Sequence, residues 1–489
     1  MSVFYTATDH FVLLPALLLA LFGCATLLFD FWVFPDPKQR RWLLMFLVLG
    51  ELFAAVAYWR QFDFLSSHGG ELTAFNGALV VDHYSLFFHS IFLVTTLIVG
   101  LMSYRYMEVR EEHHGEYYGL LMLAQTGMFF LASGYELVTI FIGLETMAVT
   151  FYVLVGFLRS DKRSNEAALK YLLLGGLSSG FLAYGFSLLY GLAGSTKLVD
   201  IGRMAASRDA NDPILLMALG TTAVGLLFKI SAAPFHMWAP DAYEGAPTAI
   251  TAFLAVGSKA ASFALLLRLM VGPLGPARAA WEPILVASAV LSIIIGNLAA
   301  VTQTNTKRLL AYSGINHAGY ILLGIVAGNP TGIKGVLIYL LVYAFMTLGA
   351  FAVLSLLTRK GLAGEDIDDL NGLMKKAPGY GIAMLIFLVS LAGIPPTGGF
   401  FGKYYIFLSL IETGHYNLAV FAALFVAVSV YYYFRLIRAV FVDTEEHETP
   451  ALSTSFGLKV GLGFTGVMTM VIGMYPEPFL RLAQLSISR

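Results

Sequence analysis

The sequence predicts an all-α, polytopic membrane protein, and three observations carry the prediction. Apolar runs of about 20 residues recur along the 489-residue chain, and each is long enough to cross roughly 30 Å of hydrocarbon. Hydrophobic residues make up 58% of the chain and charged residues only 12%, with a mean hydropathy of +0.75; soluble globular chains carry roughly twice that charge. The residue-by-residue alternation of a membrane barrel, the only other spanning solution, is absent.

Window reading places about 14 spans, at 11–34, 42–59, 84–104, 117–133, 135–157, 166–192, 213–238, 249–271, 283–303, 307–328, 332–358, 378–411, 415–442 and 456–480. The first run reads as a retained helix, because MSVFYTATDH has neither a basic leader nor a small-residue cleavage site. The run 378–411 is too long for one straight crossing. The longest polar stretches, Gln61–His83 and Gly361–Ala377, are too short to form a domain, so any chemistry sits in the membrane or comes from partners. Basic residues gather on alternate connections. Lys38, Arg40 and Arg41 follow the first span, and Arg159, Lys162 and Arg163 the fifth. Lys307 and Arg308 follow the ninth, and Arg359, Lys360, Lys375 and Lys376 the eleventh. The positive-inside rule then places both termini outside; Lys197, Arg203 and Arg208 run against the trend.

Composition also excludes some functions. Cys24 is the only cysteine, so the chain forms no internal disulfide. An iron–sulfur cluster held by this chain alone is ruled out, since such clusters usually need four thiolates. Cys24 itself reads as a small apolar packing residue. A net charge of −1 gives no electrostatic case for nucleic acid.

A charge near the bilayer centre costs several kcal/mol, so deep ionisable residues are functional hypotheses. Glu145 in FIGLETMAVTFYVL, Lys259 in AVGSKAASF and His317 in YSGINHAGY each lie roughly 15 Å into spans five, eight and ten, at about 1.5 Å of rise per residue. Lys229 in LLFKISAAPFHMW lies deep in span seven, and Lys403 deep in span twelve. A structural lysine snorkels to water from near a helix end; these three lie too deep for that. His317, and His236 nearer the inner end of span seven, also admit a reading as hydrogen-bonded packing residues. Asp30, Glu51, Lys170 and His89 sit nearer span ends, where the interface or neighbouring helices account for them, and Glu136 lies at the outer edge of span five. Asp241 and Glu244 in APDAYEGAP fall in a loop, either solvated or lining an entrance from the inner aqueous phase.

Two spans carry helix breakers. Gly393, Pro395, Pro396, Gly398 and Gly399 should unwind span twelve, and Pro234 should interrupt span seven. In lipid the freed carbonyls need new partners, so broken helices occur where they are buried in protein or line a cavity, and their ends are the usual ion sites of transporters. A desolvated amine holds its proton less tightly and can lose and regain it near neutral pH. A carboxylate, three amines and a histidine at one depth form a candidate proton relay that titrates as a coupled set. Spans four to eight and nine to thirteen are two groups of five. Five is odd, so the second group runs inverted, and the broken spans seven and twelve are the fourth member of each. The expected organisation is an N-terminal three-helix segment (1–110), two five-helix repeats (115–272 and 282–443) and a C-terminal helix (444–489).

The stretches FKISAAPFHMWAPDAYEGAPTAITAFLAVGSKAA (228–261) and SLAGIPPTGGFFGKYYIF (390–407) resemble the antiporter-like membrane subunits of NADH:quinone oxidoreductase, respiratory complex I, and the related multisubunit cation/proton antiporters. RSNEAALKYLLLGGLSSGFLAYGFSLLYGLAGST (163–196) and NTKRLLAYSGINHAGY (305–320) look like the N subunit branch of that family. The resemblance covers nearly the whole chain. It implies that Glu145 pairs with Lys229, that Lys259 is the central connecting lysine, that His317 is an intervening polar group, and that Lys403 exchanges protons with the outer side. It implies a bacterial inner-membrane location and, as partners, the lipid bilayer, another antiporter-like subunit and small membrane subunits. NADH, FMN, iron–sulfur clusters and quinone would belong to other subunits. This chain shows no dinucleotide fingerprint, since GGLSSG lies inside a membrane helix, and no metal site is expected. The alternatives are a sodium or potassium/proton antiporter subunit on the same fold, or a structural membrane scaffold.

Overall fold

The computed structural model describes residues 5–33, 42–110, 112, 115–357, 364–441, 452 and 454–487. Lys38, Arg40, Arg41, Arg359 and Lys360, used above for orientation, lie outside the described residues.

The N-terminal helices are α1 (Ala7–Trp32), α2 (Leu43–His68) and α3 (His83–Arg110). The first five-span group contains α4 (Glu116–Ser133), α5 (Leu137–Val155) and α6 (Lys162–Ala193). After the short α7 (Leu198–Ser207) it continues through α8 (Pro213–Lys229), α9 (Trp238–Gly245), α10 (Thr248–Phe253) and α11 (Lys259–Met270). The second group contains α12 (Arg278–Thr302), α13 (Thr306–Ala327) and α14 (Pro330–Leu357), the short α15 (Leu373–Lys376), then α16 (Pro378–Ala392), α17 (Gly398–Glu412) and α18 (Tyr416–Phe441). The chain closes with α19 (Phe456–Met474) and α20 (Glu477–Leu485). Among the described residues, 11 helical segments are long and apolar enough to cross a membrane, and α8 and α16 are shorter apolar helices.

Burial separates a central axis from a periphery. The apolar cores of the segments Thr248–Met270 and Pro330–Leu357 are wholly buried, whereas only about a third of those of α1, α2 and α18 is. Exposed Leu169, Leu173, Leu177 and Phe181 repeat every four residues along α6, a stripe suited to lipid or a neighbouring subunit.

Both anticipated breaks are present, at 230–237 between α8 and α9 and at 393–397 between α16 and α17. Three local features are settled by the structure. The polar stretch from Gln61 is helical to His68, and it then forms an antiparallel hairpin of β1 (Leu72–Ala74) and β2 (Leu79–Val81). Asp241 and Glu244, expected in a loop, stand instead on a helix, α9, where both are ion-paired and partly exposed. Of the interface and the neighbouring helices, it is a neighbouring helix that holds Glu51, which is 3% exposed and accepts a hydrogen bond from Gln125 at 3.1 Å.

Candidate functional site

The first break is sealed by its neighbour α12. Ala233 lies in the unwound segment; its N–H donates to Ser292 Oγ at 2.8 Å, and its carbonyl accepts from Ser288 Oγ at 2.6 Å. Trp238, opening α9, donates Nε1 to the Phe228 carbonyl at 2.9 Å. Backbone groups released by the break are thus satisfied inside protein, as a low-dielectric setting demands. Lys229 ends α8 at this point. Its ammonium is 5.9 Å from the Tyr152 ring centroid and 6.0 Å from that of Phe228. Nζ and the Glu145 Oε1 atom are both buried without a hydrogen-bond partner. The expected Glu145–Lys229 ion pair is therefore not formed. The amine lies instead among the aromatic rings packed at the end of α8. His236 lies in the break, partly buried, with Nδ1 unpartnered.

Lys259 follows a π-helical turn, Leu254–Ser258, inside its span. Such turns rotate the residues that follow and free a backbone carbonyl. Lys259 is 2% exposed; its Nζ donates to the Gly314 carbonyl at 2.8 Å and stands 5.5 Å from the Tyr343 ring centroid. Gly314 has little room, since a Cβ there would come within 3.0 Å of both Lys259 Nζ and Tyr343 Oη.

His317, one turn along α13, is fully buried. Its Nδ1 is hydrogen-bonded to Tyr339 Oη at 2.6 Å and its Nε2 to Tyr433 Oη at 2.9 Å. Tyr433 also bonds Ser313, and the Tyr343 ring centroid lies 5.3 Å from that of His317.

The second break holds Lys403. Gly393 takes a φ of 84° and ends α16 in the left-handed form that suits glycine. A Cβ on Gly393 would also meet Lys403 Cδ at 2.7 Å. Lys403 Nζ donates to the carbonyls of Ala392 at 2.7 Å and Leu391 at 3.3 Å, two of the groups that the break leaves without intrahelical partners. It lies 5.4 Å from the Tyr320 ring centroid and is 4% exposed. Gly399 N–H donates to Ser390 Oγ at 3.0 Å, sealing the other side.

Lys259, Tyr343, His317 and Tyr339 thus form one buried series of contacts, and Lys403 lies close to its far end, where the neighbouring Gly402 packs on the Tyr339 ring; Lys229 and Glu145 lie in the first group. Tyr339, Tyr343, Tyr433 and Ser313 were not singled out from the sequence. A tyrosine in an apolar run reads as packing, and only the fold brings its hydroxyl to an imidazole.

The family described as "NADH:quinone oxidoreductase/Mrp antiporter, TM" matches residues 134–429. NADH-quinone oxidoreductase subunit N 2 of Solibacter usitatus (strain Ellin6076) is 61% identical over 489 residues, covering 100% of this chain and 99% of the relative. The chain belongs to the subunit N family of NADH-quinone oxidoreductase. A subunit N family member is a membrane, antiporter-like component of that enzyme, in keeping with a chain in which spans dominate. A chain from respiratory complex I of Thermus thermophilus with bound aureothin superposes with a TM-score of 0.80 at 35% identity, over 96% of this chain and 99% of that one. A chain of the Mrp complex from Dietzia sp. DQ12-45-1b matches with a TM-score of 0.83 at 20% identity, over 97% of each chain, and shows the shared fold alone.

Proposed function

We propose that this subunit translocates protons through Glu145, Lys229, Lys259, His317 and Lys403, driven by electron transfer from NADH to quinone in other subunits of the complex. The observation that carries the reading is Lys403, buried and seated on the carbonyls of Leu391 and Ala392 at the second break. An amine there can shed its proton and still find the polar groups that the broken helix supplies. The separation of Glu145 from Lys229 fits a pair that closes and opens: closure would hold the Lys229 proton, and opening would release it toward Lys259. A fixed geometry would only conduct, so the driving reaction must bias two states of this pair. His236, in the break that follows Lys229, is a further relay candidate.

The same reading gives the chain two inverted repeats, spanning 115–272 and 282–443, and places both termini on the outer side of the bacterial inner membrane. Its partners are another antiporter-like subunit and the small membrane subunits. NADH, FMN, the iron–sulfur clusters and quinone are held elsewhere in the complex. The cation/proton antiporter alternative is weaker, because the axis carries one carboxylate, Glu145, among three lysines, and a cation site wants clustered oxygen ligands.

Lys403→Ala in the assembled, reconstituted complex should lower proton pumping severalfold. Wild-type pumping by a fully assembled variant would reject the relay.

A further inference from the structure

Lys307 belongs to no part of the relay. It lies near the start of α13 and was read above as an inner-loop charge, yet it is 1% exposed. Its Nζ donates to the carbonyls of Glu244 at 2.9 Å and Ala246 at 2.8 Å, and to Glu365 Oε1 at 2.7 Å. An ammonium has three donors, and here each has an acceptor.

The two carbonyls are those at the C-terminal end of α9, which a helix leaves unpaired and where its dipole favours a cation. α9 has only eight residues. Its first residue, Trp238, is bonded to the carbonyl of Phe228, the neighbour of Lys229. Just beyond its last residue, Thr248 opens α10, which leads into the π turn and Lys259. Whatever fixes the far end of α9 therefore fixes the spacing between Lys229 and Lys259. Arg308 adds a second hold, 2.8 Å from both Asp241 and Glu244, and Lys170 a third, 3.0 Å from Asp241. Those pairs are partly exposed and correspondingly weaker.

Glu365 carries the connection onward. Its carbonyl accepts from Thr306 N–H at 2.7 Å, and Ile367 N–H donates to the Thr304 carbonyl at 3.0 Å, so residues 365–367 are strapped to the start of α13. That strap leads through α15 into α16, whose last carbonyls hold Lys403.

We propose that Lys307, held by Glu365, is a positioning residue that pins the corner between α9 and α10 and so ties the first broken span to the segment leading into the second. The proposal rests on the proton-relay reading, in which the setting of Lys229 against Lys259 controls transfer. Lys307 exchanges no proton in it.

The test uses the purified, reconstituted complex with Lys307→Met, Lys307→Arg and Glu365→Gln. Two quantities are measured: amide deuterium uptake across residues 238–248, and protons pumped per electron pair. K307M and E365Q should raise uptake severalfold and lower the proton ratio. K307R, which keeps the charge and the donors, should stay near wild type. Raised uptake with an unchanged proton ratio would make Lys307 structural only and overturn the proposal. A lowered ratio with unchanged uptake would also overturn it, pointing to a direct proton role. If K307M fails to assemble, E365Q, nearly the same size and shape, decides by the same two readings. The relay itself is judged separately by K403A, so wild-type pumping there would not be mistaken for failure of the pin.

Discussion

At His317 both ring nitrogens are engaged, one by Tyr339 and the other by Tyr433. A neutral imidazole offers one N–H and one lone pair, so one tyrosine must donate to it while the other accepts. A proton arriving at one nitrogen and leaving from the other reverses those roles, and both hydroxyls must turn. Tyr339 is the partner on the side of Lys403, since its ring packs against Gly402, where a Cβ would come within 2.9 Å. Tyr339→Phe leaves a buried ring nitrogen unpaired at a cost of about 1–3 kcal/mol. Transfer through His317 should then slow by roughly tenfold or more. The pumping rate of the assembled complex measures this, and an unchanged rate would remove Tyr339 from the path. Lysines at membrane depth could be recognised in the sequence because their cost there is high. Tyrosines could not, because an apolar run tolerates them for packing alone.

Among the elements, the two broken spans solve one problem by different means. Both release backbone groups into the buried interior, and both must satisfy them. The first break uses hydroxyls borrowed from α12, Ser288 and Ser292. The second uses Ser390 and the amine of Lys403. The serines are then structural and should act separately from proton transfer. Ser288→Ala with Ser292→Ala should destabilise the first break by about 1–3 kcal/mol for each lost partner, read as a lower thermal midpoint of the assembled complex. Replacement without any such drop would mean that the break is sealed otherwise. The prolines made both breaks legible in the sequence. The serines lie on a different span, 55 and 59 residues away from Ala233, and no local pattern marks them. The short α9 was hidden for a related reason: its acidic face looks like a solvated loop until Arg308 and Lys170 are brought to it.

For the whole molecule, orientation is the property with a direct test. Ser160 and Asn211 are both exposed and lie at opposite ends of the bundle, after α5 and before α8. Cys24 is the sole thiol, so a Cys24→Ser background isolates an introduced one. With both termini outside, Asn211→Cys should react with a membrane-impermeant maleimide from the periplasm, and Ser160→Cys only after the membrane is opened. The reverse pattern would invert the topology. The enclosed axis of α10, α11, α13 and α14 and the apolar rim of α1, α2, α6 and α18 also belong to this scale. Hydropathy cannot separate them, since a helix packed in protein and one bathed in lipid are equally apolar.

The sequence by itself determined the fold class and the two interruptions, and it singled out Glu145, Lys229, Lys259, His317 and Lys403 as ionisable residues inside apolar runs. Each follows from a local rule: the length of an apolar run, the missing amide of proline, the cost of a charge in hydrocarbon. Only the tertiary structure decided the partners. It left Glu145 and Lys229 apart, flanked His317 with two tyrosines, one of them 116 residues away in the chain, and buried Lys307 against α9. The reason is physical: in a membrane bundle the polar contacts join different helices, and a helix carries no local trace of which neighbour will meet its polar side chain.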